Sequence, residues 1–92
     1  MNNTREIAKN IVKLQKQVVM QALALYEPKV EHIINNNVTD ISEIERALDA
    51  LLDVAFDEQI LFLYKKLCRY YFTLDQQTTN FYIQSYREMW DS

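Results

Sequence analysis

Few side chains in this sequence could do covalent chemistry, and their positions limit what they could do. His32 is the only histidine and Cys68 the only cysteine. A histidine-based dyad would pair His32 with Cys68 or with a serine, and it needs both groups within hydrogen-bond reach in a cleft. Cys68 instead falls in an apolar and aromatic belt between Ile60 and Phe72, where a thiol behaves as a small, inert hydrophobe. His32 reads as a surface or edge residue. The chain has no glycine, so neither a phosphate-cradling loop nor a dinucleotide fingerprint can be written. The expectation is a non-enzymatic protein with no catalytic residue, no cofactor and no small-molecule substrate.

Two charged clusters have regular spacing. Glu45, Asp49 and Asp53 recur every fourth residue and form an acidic ridge on one helix flank. Three such carboxylates could share a hard cation with water. Carboxylate bundles that hold two metals usually add a Glu-x-x-His motif, which is missing here, so no metal is expected. Arg5, Lys9, Lys13 and Lys16 form a basic face opposite an apolar one. Its plain reading is a solvated helix face. The alternatives are contact with phosphates, with an anionic surface, or with the acidic ridge of another subunit. Two phenylalanines fall off the apolar stripes: Phe62 among Lys65, Lys66 and Arg69, and Phe81 beside Ser85 and Glu88. Isolated exposed rings are common, but a contiguous exposed pair would mark a partner surface. The candidate partner-binding residues are Phe62, Lys66, Arg69 and Phe81.

These groups must be positioned by helices. Without glycine the backbone has little access to positive-φ turns. Ile7, Ile11, Leu14, Val18, Ala22 and Leu25 recur at intervals of three and four, and Asn3 with Glu6 has capping-box spacing. Val19, Leu23, Tyr26, Val30, Ile33 and Ile34 keep helical spacing across Pro28. The spacing predicts a long first helix over about 4–35, kinked by a proline that lacks the backbone N–H. Asn35-Asn36-Asn37 ends it, because asparagine tolerates the left-handed region.

Asp40 restarts a helix over about 41–55, with Ile41, Ile44, Leu48, Leu51, Leu52 and Ala55 as its buried stripe. Phe56-Asp57 and Leu74-Asp75 each read as an apolar staple residue followed by an N-cap, the first reaching Leu61. They open helices over about 58–72 and 76–90. The third is apolar nearly all round and should be central. Tyr82, Ile83, Tyr86, Met89 and Trp90 form the buried arc of the fourth. The fold class is all-α, a compact four-helix bundle forming one domain over 1–92.

Composition narrows the class further. The longest wholly apolar stretches, such as Ile60 to Tyr64, are far short of a membrane span, and a lone cysteine points to the reducing cytoplasm. Net charge is −3, divided as +2 over residues 1–38, −6 over 39–64 and +1 over 65–92. That is not the strongly basic profile of a nucleic-acid binder. Ten of the eleven aromatic residues lie between Phe56 and Trp90. This surplus, with a first helix too long for a compact bundle, suggests a protein-binding module that forms a homo-oligomer. Nucleic-acid binding through the basic face is the weaker alternative.

Overall fold

The computed structural model describes residues 3–91, which form four helices: α1 (Asn3–Asn35), α2 (Ile41–Leu52), α3 (Glu58–Phe72) and α4 (Gln76–Trp90). The protein is an all-α four-helix bundle. α3 is central and packs against α2, α4 and α1, while α1 also packs against α2.

Each of the three later helices starts where an aspartate can cap it. Asp40 accepts from the backbone N–H of Ser42, Asp57 from Gln59 and Ile60, and Asp75 from Thr78, at 2.9–3.1 Å. These bonds satisfy donors that the first helical turn leaves orphaned. Asn37 adopts φ 51° and turns the chain after α1, the role glycine would otherwise fill. The Asn3 cap expected from sequence involves a side chain outside the described ones.

α1 runs unbroken through Pro28. Ala24, whose carbonyl loses its i+4 donor to the proline, is exposed like Pro28, so water can satisfy that carbonyl. α2 ends three residues earlier than its stripe suggests. From Val54 the backbone N–H groups bond three residues back, to Leu51 and then Leu52. This tighter turn keeps Val54 and Ala55 buried while it redirects the chain into α3.

The core centres on Val30 and Ile33 of α1, Ile44, Leu48 and Leu51 of α2, and Ile60, Leu67 and Tyr71 of α3, all essentially inaccessible. Long polar-tipped rings fasten the helices to one another. Tyr64 donates to the Tyr82 carbonyl at 2.7 Å, and Tyr70 to the Val38 carbonyl at 2.6 Å. Tyr71 donates to Glu45 at 2.6 Å and Tyr82 to Asp49 at 2.9 Å. Trp90 Nε1 donates to the Leu52 carbonyl at 2.7 Å. The C-terminal concentration of aromatics thus supplies both apolar volume and directed cross-links between helices.

Several expected core positions lie elsewhere. Ile41, at the first position of α2, is exposed, as are Phe72 and Leu74 at the α3–α4 corner. Met89 and Trp90 are exposed at the end of the α4 arc, although the Trp90 ring meets Phe56 edge-on at 5.5 Å. Phe56, expected to staple onto Leu61, is itself exposed with Trp90 as its aromatic neighbour.

The largest difference is in α1. Val19, Val30 and Ile33 are buried, and Leu23, Tyr26 and Ile34 pack beside them. Of the other stripe, Ile7, Ile11, Leu14, Val18 and Leu25 are 48–59% exposed, while Ala22 packs against the core. Every residue from Thr4 to Val18 is exposed. A 33-residue helix spans about 50 Å at 1.5 Å per residue, against a longest molecular dimension of 54 Å. The three shorter helices can cover only the C-terminal half of it. The radius of gyration, 15.3 Å, accordingly exceeds the ~12 Å of a compact chain of this length. The compact part is α2–α4 with the second half of α1, and the first half projects from it.

Candidate interaction surface

Helical geometry separates two apolar faces on α1. Successive residues differ by 100° around the axis, so Val18 and Val19 point in clearly different directions. Val19 is buried in the bundle and Val18 is solvated. Leu25 continues the Val18 side beside the bundle, whereas in the projecting half both sides are solvated, Ile7, Ile11 and Leu14 on the Val18 side and Val12 on the Val19 side. The apolar signal was visible in the sequence, but a stripe of this spacing reads as core by default. The clue that it is a second surface is the presence of two stripes on one helix, more than a small bundle can bury.

The basic residues Arg5, Lys9, Lys13 and Lys16 are exposed on the projecting half. Arg5, Lys9 and Lys13 border a shallow depression floored by Ala8 and Val12.

The other candidates fall on different helices. Phe62, Lys66 and Arg69 share one side of α3, at spacings of four and three. Phe62 is 68% exposed and borders an open cleft of about 460 Å³ between α1 and α3, with Leu23, Glu27 and Glu58. Lys66 forms a salt bridge to Glu31 and ties α3 to α1; its ammonium holds the Glu31 carboxyl below the usual carboxylate range. Arg69 is exposed. Phe81, 67% exposed, belongs to α4, and its ring meets that of Tyr82 at 5.9 Å.

Cys68 and two of the three ridge carboxylates serve the fold. Cys68 is buried, and burial pushes its thiol up to about 12, against a smaller opposing influence of Tyr64. His32 is exposed and within 3.1 Å of the Asn36 side chain. Of the acidic ridge, Glu45 and Asp49 accept the Tyr71 and Tyr82 hydroxyls. Burial, and after it these carboxylates, raise both phenols well above their ordinary value. Among the described residues no three acidic, histidine or cysteine side chains converge as a metal-binding group, and no helix is long and apolar enough to cross a membrane.

Neither a family model, nor a curated protein, nor a solved structure matches the chain. The exposed stripe of α1 is the longest run of apolar side chains that the fold leaves in solvent, beside the separate exposed rings of Phe62 and Phe81.

Proposed function

We propose that this protein is a non-enzymatic interaction module that associates with itself, with the projecting half of α1 as its principal contact. The observation that carries the reading is the solvent exposure of Ile7, Ile11, Leu14, Val18 and Leu25 along one face. Contiguous apolar surface of this kind usually marks a binding site, because leaving it in water forgoes burial energy and invites association. Phe62 and Phe81 add exposed rings beyond it, with Lys66 and Arg69 beside the first. The lone buried thiol suits a reducing compartment, and we read the protein as cytoplasmic.

Light scattering on the full chain tests this reading. Self-association predicts a mass that rises with concentration from 11.0 kDa towards twice that value. A strict monomer at high micromolar concentration, unchanged by Phe62→Ala and Phe81→Ala, would contradict it.

A second reading rests on the exposure of the basic face. Four cations aligned on a free helix could follow a phosphate backbone, and binding would then weaken steeply with salt. No binding of duplex or single strand at low salt removes this reading, as does a salt slope unchanged by Lys9→Ala with Lys13→Ala.

A further inference from the structure

The exposed stripe of α1 has the spacing of a coiled-coil seam. Ile7, Ile11, Leu14, Val18, Gln21 and Leu25 alternate intervals of four and three, which averages 3.5 residues and keeps a straight seam against a supercoiled partner. In heptad terms Ile11, Val18 and Leu25 occupy a, while Ile7, Leu14 and Gln21 occupy d. We propose that two copies of this chain pair through this seam as a parallel two-stranded coiled coil. The inference rests on the self-association reading above and adds its register and orientation.

Four features favour a second copy as the occupant. The flanking e and g positions are Ala8, Asn10, Gln15, Gln17, Ala22 and Ala24, all uncharged. Two identical helices therefore meet without like-charge repulsion at the positions that normally choose partners. Every charged residue from Arg5 to Glu27 lies at b, c or f, away from the seam. The bundle lies towards b and f, through Val19, Leu23 and Tyr26, and touches the e flank only at Ala22, so it leaves the seam residues exposed even at Leu25. Five half-exposed aliphatic side chains at roughly 100 Å² apiece give about 1,000 Å² of apolar surface over two copies, the lower bound of a specific interface.

Orientation follows from Gln21. In a parallel pair each residue faces its own copy, so Gln21 meets Gln21 and the two amides, each carrying donors and an acceptor, can bond reciprocally. An antiparallel pair that uses the whole seam sets Gln21 against Ile11 twice, leaving two amides facing apolar groups. Sliding by a heptad to avoid this sacrifices seam layers. At the centre of the seam β-branched Ile11 and Val18 at a, with Leu14 at d, match the preference of parallel dimers, whereas Ile7 at d and Leu25 at a, at its two ends, do not.

The test uses the full chain carrying Cys68→Ala, so that one introduced thiol reports alone. In a parallel pair Ile7→Cys lies beside its own copy. In the antiparallel pair it faces position 25, and the two introduced thiols lie about 27 Å apart along the axis. Mild oxidation should convert most of the Ile7→Cys protein to covalent dimer, while Lys9→Cys, at an f position, stays monomeric. Cross-linking of Ile7→Cys to Leu25→Cys in a mixture, with none of Ile7→Cys to itself, overturns the parallel seam. A wild-type dimer by sedimentation, with no cross-link from either seam cysteine, overturns the seam but leaves self-association standing. A wild-type monomer at on the order of 100 µM overturns both and assigns the stripe to a different protein.

Discussion

Tyr71 illustrates how single residues hold this bundle. Its ring is fully buried and its hydroxyl donates to Glu45 at 2.6 Å. Tyr71→Phe keeps the packing but leaves Glu45 short of a donor, so urea unfolding should show a loss of about 1–2 kcal/mol. The buried phenols also set the alkaline limit. Tyr64, Tyr71 and Tyr82 are raised above the ordinary value of 10.0, with burial the largest cause in each. Their contribution to stability is complete below that pH and is lost as pH rises above it, because the unfolded chain ionises first. The urea midpoint should therefore fall on raising pH beyond about 10, and these three phenols should ionise only as the chain unfolds, readable by tyrosinate absorbance. Cys68, pushed up to about 12, should resist a thiol reagent at neutral pH in the folded protein and react promptly in denaturant. The burial of Cys68 was legible in the sequence. The hydroxyl partners of the tyrosines were not, because they come from residues 18 to 33 positions away that only tertiary packing brings together.

At the scale of elements, local chemistry was largely readable and packing was not. The three aspartate caps and the positive φ of Asn37 follow from short-range hydrogen bonding, and the bounds of α3 and α4 with them. Asp57→Ala should cost about 1 kcal/mol in unfolding measurements by releasing two orphan donors, with Asp57→Asn largely restoring it. Asp75 is held below the usual carboxylate range by the Thr78 N–H and hydroxyl. Its contribution is complete above its ordinary value of 3.8 and fades as pH falls below that. α2 ends at Leu52, before the end of its apolar stripe, because the turn that closes it depends on where α3 must begin. The two faces of α1 could not be ranked from periodicity, since both have helical spacing. Tertiary packing selects the Val19–Ile34 face for the core, and the length of α2, α3 and α4 decides how much of α1 projects beyond it.

The whole molecule is a bundle with a projecting arm. Its dense part is self-sufficient: among the described residues, no buried side-chain nitrogen or oxygen lacks a hydrogen-bond partner. The arm is different, since Thr4 to Val18 is exposed throughout, and helices in water draw most of their stability from packing an apolar face. Pairing with a second copy would supply that packing. The two partner classes separate by salt. Association through uncharged seam flanks should change little with ionic strength, whereas phosphate binding by Arg5, Lys9, Lys13 and Lys16 should fall steeply. The most direct measurement is sedimentation equilibrium on the wild-type chain beside Leu14→Lys, an arm substitution that leaves the bundle core untouched. Pairing through the seam predicts a reversible wild-type dimer near twice 11.0 kDa. It also predicts more than about a hundredfold weaker association for the variant, which places two ammonium groups in one seam layer. Equal masses for the two proteins, whether both monomeric or both dimeric, would contradict it.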